Sequence, residues 1–358
     1  MSRFLIRRLV SSLPVLFGIL LVTFVMARGV KGDACRAILG ERATQESCDR
    51  FIIRNGLDKP IPVQFVIYIS HFVTGDLGES FRFGKPVTEM LAERLPVTIE
   101  LALTALIIAT TLGVPLGIIS AYRHNSPLDV ATMLGANIGI SIPVFWLGLM
   151  LSYLFAVVLK DTPFVLPPSG RLTAGMNPAP YYEVWGWVTD GQTPPDLWTF
   201  LGRFTLLNGL ITGNWELFWD SFRHMILPAI TVGTIPLAII ARMTRSALLE
   251  ALNQDYVRTA RAKGLAERNV VFRHAFRNAL LPIVTIIGLN FGFLFSGAVL
   301  TETVFGLTGI GRTLYDGITA RDYNVVQSVT LVAAISFVVI NLLVDMIYGL
   351  LDPRIRLK

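Results

Sequence analysis

The sequence predicts an all-α, polytopic membrane protein with six transmembrane helices, and three observations predict it. Hydrophobic residues fill 53% of the 358 positions and charged residues only 16%, with a mean hydropathy of +0.59. Six stretches are long enough to cross a bilayer core, which takes about 20 apolar residues as helix. The cations are sorted to one side. With the N- and C-termini placed in the cytoplasm, the pieces 1–8, 122–130, 242–278 and 351–358 hold 15 of the 31 Lys and Arg in 62 residues, and 28–96, 160–223 and 302–323 hold 16 in 155. That excess of basic density inside is what the positive-inside rule requires. The two long outer loops lie near the length where the rule stops counting, so the short pieces carry the argument. The net charge of +6 then reflects topology, and nucleic acid is excluded as a partner.

The first helix is expected over 9–27, behind Arg3, Arg7 and Arg8. Those cations and Val25-Met26-Ala27 also fit a cleaved signal, but a run of 19 apolar residues exceeds a signal core of about 7–15. An uncleaved helix is the better reading. The polar outer segment that completes the region 1–94 holds both cysteines, Cys35 and Cys48. On an oxidising face they either close a short disulfide loop or remain two free thiols. With four scattered histidines (His71, His124, His224, His274) they show no metal-ligand spacing, so no metal is expected.

The region 95–351 holds five further helices, near 95–121, 130–159, 225–241, 280–300 and 325–350. Pro96 suits the first turn of the second, where a missing N–H costs nothing. Pairs of glycines four apart stand at Gly113/Gly117, Gly135/Gly139 and Gly288/Gly292, which favours a tightly packed bundle. Pro115, Pro143, Pro228 and Pro236 predict kinks, and the last two blur the ends of the short fourth helix. The outer loop 160–223 carries Trp185, Trp187, Trp198, Trp215 and Trp219, some of which are expected at the membrane interface. A cap on the outer face is the better reading of this loop than a binding-protein contact. The one clear charge inside a span is Asp345, near the inner end of the last helix and one turn after Asn341. A local helix partner or a solvated position accounts for it. A short tail, 352–358, ends the chain.

The polar stretch 250–282, EALNQDYVRTARAKGLAERNVVFRHAFRNALLP, organises the rest. Asp255 is the expected N-cap, and 256–263 follow as two helical turns. Gly264 stands where a helix needs a left-handed residue to end. A second run, 267–280, leads into the next span. Two short helices meeting at a glycine make a docking knob for a soluble partner.

The runs DYVRTARAKGL and RHAFRNALLP resemble the coupling loop (242–279 here) of ABC-importer permeases of the dipeptide/oligopeptide class. Arg258, Thr259 and Ala260 stand where the generic loop has Glu-Ala-Ala, and the run from Gly264 to Pro282 is longer than the generic one; both departures look like the peptide class. GDLGES at 75–80, ERLPVT at 93–98, ETVFGLTGIGR at 302–312 and ARDY at 320–323 extend the resemblance. The glycines at 302–312 lack the Gly-Lys-Ser/Thr of a phosphate-binding loop. The resemblance instead places this run at the outer mouth of the pathway, with Glu302, Phe305, Gly309, Gly311 and Arg312 as a candidate outer gate.

Nothing in the sequence hydrolyses anything, for it has no Walker motif and no readable nucleophile–base pair. The resemblance implies a type I importer bundle in the bacterial inner membrane, without a cofactor of its own. It further implies a second permease, two ATPase subunits carrying ATP and magnesium, an extracytoplasmic solute-binding protein and surrounding lipid. Asp255, Tyr256, Arg258, Ala260, Arg261, Lys263 and Gly264 would form the ATPase-coupling surface, with Ala260 and Gly264 allowing close approach and the cations at the rim. The alternative is a partner-independent channel or an ion-coupled transporter. Ion coupling usually leaves carboxylates or broken helices at mid-membrane, and these spans lack such charge.

Overall fold

The computed structural model describes residues 2–29, 35, 43–54, 56–188 and 193–351. Among them it contains helices and one isolated bridge, Glu79–Pro86, and no strand. The helices are α1 (Ser2–Gly29), α2 (Gln45–Arg54), α3 (Ile61–Val73), α4 (Val87–Tyr122), α5 (Pro127–Ser141) and α6 (Val144–Tyr153). The short α7 (Tyr181–Val184), α8 (Asp196–Gly202) and α9 (Thr205–Thr212) precede α10 (Trp215–Leu252). Then come α11 (Asp255–Ala262), α12 (Glu267–Asn269), α13 (Phe276–Gly297), α14 (Val299–Val304), α15 (Ile310–Thr319) and α16 (Tyr323–Leu351). Wide π-type turns carry α6 on through Leu154–Val158 and join α12 to α13 through Val270–Ala275.

Among the described residues five helical stretches have the length and apolarity to cross a membrane: Arg7–Met26, Val87–Tyr122, Trp215–Leu252, Glu267–Phe295 and Tyr323–Met346. The sixth expected span, 130–159, is instead α5 and α6 meeting at 98°. Pro143 forces this bend. The residue before a proline is pushed out of helical geometry, and Ile142 sits at φ −79°, ψ 125° in an extended conformation. The two prolines of the fourth span act differently. Pro228 and Pro236 lie inside one continuous 38-residue helix, because neighbouring helices hold the freed carbonyls' surroundings rigid. Pro96 also departs from expectation: α4 starts at Val87, behind Pro86, so Pro96 lies more than two turns inside.

Helix α10 is the centre of the bundle and packs most extensively on α4. The glycine pair on α4 makes this possible. A Cβ on Gly113 would come within 2.9 Å of the Leu237 carbonyl, and one on Gly117 within 2.5 Å of that of Ala241. Gly288 and Gly292 likewise face Val344 and Phe337 of α16, whereas Gly135 has open space around it. Two of the three glycine pairs are therefore helix contacts, and the third is half of one.

Asp345 pairs across helices with Arg8 of α1 at 2.7 Å, not with a neighbour in its own helix. Glu100 in α4 is a second acid within a span, which corrects the expectation that Asp345 stands alone. It accepts from Arg171 at 2.6 Å and from the Leu206 amide at 2.8 Å. Arg171 also donates to the Arg203 carbonyl at 2.6 Å. These contacts pin the 160–223 loop to the bundle, and within it buried Tyr181 meets Trp185 in a T-shaped contact that continues through tilted contacts to Trp187 and Trp198. Cys35 and Cys48 form a disulfide, with Cα atoms 5.3 Å apart.

Candidate functional site

Helix α10 ends at Leu252, and the chain turns through Asn253 and Gln254 into α11. Gln254 takes the N-cap position with extended backbone (φ −78°, ψ 152°), and its side chain makes no cap bond. Asp255 is thus the first helical residue rather than the cap. It still suits the first turn, where a carboxylate meets the positive end of the helix dipole. At the far end Gly264 adopts φ +74°. Its N–H bonds to the Arg261 carbonyl at 2.9 Å, and the Leu265 N–H reaches the Ala260 carbonyl at 3.4 Å. That pair of bonds is the Schellman arrangement, which a left-handed glycine closes without strain.

The helix is fastened by two residues three apart. Val257 is 0% exposed and Ala260 5%, and both pack with Leu248, Ala251, Val270, Val271 and Ala275. Ala260 therefore faces the chain's own core, and its expected place at a partner's surface is corrected: its small side chain allows close packing within the knob. Asp255, Tyr256, Arg258, Thr259, Arg261, Lys263 and Gly264 are exposed. Arg261 is spoken for by Glu267, through a two-pronged bond at 2.6 and 3.1 Å. That bond holds the Glu267 carboxylate strongly and keeps the guanidinium charged. Arg258 only approaches Asp255, at 3.5 Å.

Behind the knob lies a contact that sequence reasoning missed. Asp129, in the first turn of α5, receives Arg245 of α10 through Nε at 2.7 Å and Nη2 at 2.9 Å. The Ser120 hydroxyl and the Asn125 amide donate to the same carboxylate. One helical turn earlier on α10, Arg242 donates to Asn137 at 2.6 Å. Helices α4, α5 and α10 are thereby clamped where α10 runs into the knob. The available signal was the only acid in the short inner loop 122–130, but nothing local names a partner 116 residues away.

The candidate outer-gate residues come together as a closed knot. Glu302 is 0% exposed, accepts from Thr98 at 2.6 Å and from the Arg312 amide at 2.8 Å, and Thr98 in turn accepts from the Ile310 amide at 2.9 Å. Burial raises the Glu302 carboxyl to about 7 despite these bonds. A Cβ on Gly309 would strike that carboxylate, and one on Gly311 would come within 2.8 Å of Val299. Only Gly fits this knot. Phe305 is buried, and its carbonyl accepts the Gly170 N–H at 2.8 Å. Nearby, the motifs GDLGES and ARDY meet, because Ser80 donates to the buried Asp322 at 2.6 Å.

A bundle of apolar helices long enough to span a bilayer, with a polar knob at one end, defines a multi-pass membrane protein. The chain belongs to the binding-protein-dependent transport system inner membrane components: that family's profile matches residues 113–357, and its N-terminal companion matches 1–102. Similar relatives include a dipeptide transport system permease protein of Escherichia coli K12, 42% identical over 100% of both chains. Another, of Alkalihalophilus pseudofirmus, is 42% identical over 99% of this chain and 100% of its own. A di/tripeptide transport system permease protein of Pseudomonas aeruginosa is 43% identical over 99% of each. The chain is a permease subunit of an ABC importer in the bacterial cytoplasmic membrane and not an enzyme. It works with an ATPase, a solute-binding protein and a second permease.

Proposed function

We propose that this chain forms half of the translocation pathway of an importer for di- or oligopeptides, and that α11 with Gly264 couples it to ATP hydrolysis. The peptide reading rests on the names of the relatives. The coupling reading rests on one observation: a two-turn helix anchored by Val257 and Ala260, which leaves Tyr256, Arg258, Thr259 and Lys263 facing outward. In this reading the knob and both termini face the cytoplasm, and two ATPase subunits hold ATP and magnesium. This chain binds no cofactor. Closure of the ATPase pair carries α11 with it, and the Asp129–Arg245 clamp passes that movement to α5 and α4. The solute-binding protein delivers cargo at the other face. The 302–312 knot acts there by fixing the outer ends of α4, α14 and α15 to one another.

Gly264→Asp tests the coupling. No neighbour lies within 4 Å of Gly264, so the substitution leaves packing intact and costs about 1–2 kcal/mol of left-handed backbone strain. The variant assembles but loses substrate-stimulated ATPase in liposomes. Normal stimulation would sink the coupling assignment.

A further inference from the structure

Helix α3 falls in the segment expected outside the membrane, yet its composition and contacts are those of a membrane helix. Of its 13 residues nine are Ile, Val, Phe or Tyr, and none is Asp, Glu, Lys or Arg. None is fully buried. At 1.5 Å per residue it is roughly 20 Å long, too short to cross a hydrocarbon core of about 30 Å.

Its depth is set by α1. The candidate span Arg7–Met26 carries Phe17 and Phe24 about 15 and 26 Å along the helix from Arg7. Phe65 of α3 meets both, with ring centroids 5.9 Å from Phe17 and 5.2 Å from Phe24, and Tyr68 stacks on Phe24 at 5.9 Å. Helix α3 therefore meets α1 between the middle of the core and the end away from Arg7.

The remaining faces of α3 differ sharply. Gln64 and His71, seven apart, share one face and border a cleft with Lys59, Asp76 and Asn324. There Gln64 donates to the Lys59 carbonyl at 2.7 Å and His71 meets Asp76 at 3.1 Å. Val66 and Val73 each stand two positions further on, which turns them by about 200° to the opposite face. They are 65% and 76% exposed, and Val63 beside them is exposed as well. Val22, Val25 and Met26 of the neighbouring α1 are also exposed, so apolar surface at this depth is shared by both helices.

We propose that α3 is an interfacial helix embedded in the leaflet away from Arg7, with Gln64 and His71 toward water and Val63, Val66 and Val73 among the acyl chains. Its partner is lipid. The placement rests on α1 crossing the membrane and on nothing about the cargo. With the termini in the cytoplasm, as proposed above, the leaflet is the outer one.

The test uses the assembled transporter in nanodiscs, spin-labelled at one site at a time through Val66→Cys, Val73→Cys, Leu13→Cys or Asp196→Cys. Cys35 and Cys48 are joined to each other, so the label goes to the new thiol. Leu13, exposed on the α1 span, is the lipid reference, and Asp196, exposed on the 160–223 loop, is the water reference. Relaxation by oxygen, which concentrates among acyl chains, is compared with relaxation by a water-soluble nickel chelate. At positions 66 and 73 oxygen is expected to prevail several-fold, as at position 13, with the reverse at 196. Nickel prevailing at 66 and 73 would put the helix in water and overturn the proposal. Protection from both reagents would put a partner subunit over this face and overturn it equally. A wild-type measurement covers variants that fail to assemble: phosphatidylcholine with a diazirine in its acyl chain is photoactivated in the discs, and attachment within 61–73 as well as within α1 is expected. Attachment to α1 alone would sink the idea.

Discussion

At the knob, Asp255, Arg258 and Lys263 stand in solvent; at the other end Glu100, Glu302 and Asp322 are buried, and each is met by donors from distant parts of the chain. The buried carboxylates at the end away from the knob tie loops to the bundle: Glu100 holds the 160–223 loop, Glu302 the 309–312 turn and Asp322 the 80–82 turn. The charges on the knob make only local ties among the described residues, Arg261 to Glu267 and, at 3.5 Å, Arg258 to Asp255. Buried polar groups in one region act on the fold, and exposed ones in the other are free for the docking proposed above. Asp129, buried like those acids, and its half-buried partner Arg245 stand between, directly behind the exposed knob.

Three measurements test this contrast. The largest effect falls on the clamp. Arg245→Ala leaves Asp129 buried without its countercharge, which costs about 3–5 kcal/mol. Lower thermal stability of the purified chain is expected, and an unchanged melting point would place Asp129 with the exposed group. Next is the Glu302 knot. Its folded carboxyl titrates at about 7 against an ordinary 4.5, so over that window the folded chain keeps a proton the unfolded chain has released. Stability therefore falls as pH rises from about 4.5 to 7, by roughly 3 kcal/mol. Glu302→Gln, which cannot ionise, flattens that slope in a denaturation series, and a slope unchanged in the variant would assign it elsewhere. The smallest effect on the fold comes from Arg258→Ala with Lys263→Ala. Both side chains are exposed, so stability stays within about 0.5 kcal/mol. Recovery of the ATPase subunits in a pull-down falls instead, and equal recovery would show that these cations take no part in docking.

The sequence made the near-at-hand features readable and hid the distant ones. Length of apolar run found five spans, and Gly264 announced the end of α11, because both signals are complete within a few residues. The bend at Pro143 was half legible, since a proline marks a departure from helix but does not say that the two arms turn through 98°. The inward set of Ala260 was readable and overlooked: Val257 and Ala260 are three apart, the spacing of one helix face. The pairs Glu100–Arg171, Asp129–Arg245 and Ser80–Asp322 are separated by 71, 116 and 242 residues. No local pattern brings such groups together; only packing of the whole bundle does. The same holds for the Glu302 knot: Glu302, Gly309, Gly311 and Arg312 were named from the sequence, but the Thr98 hydroxyl that joins them comes from 204 residues away.

One feature of α10 bears on how far a small motion can reach. Its 38 residues make a rod about 57 Å long at 1.5 Å per residue, nearly twice the hydrocarbon core it crosses. Its last turns feed directly into α11, and its first turns lie among the loops at the opposite face. Pivoted at one end, a tilt of about 10° sweeps the other through roughly 10 Å. The rod thus has mechanical advantage built into its length. Its weak points are Pro228, in the half away from the knob, and Pro236, just past the middle, which each remove one rung of the hydrogen-bond ladder. The stretch 237–252, which carries Arg242 and Arg245, has no proline, so under the proposed coupling a push at the knob would meet the clamp before it meets either break.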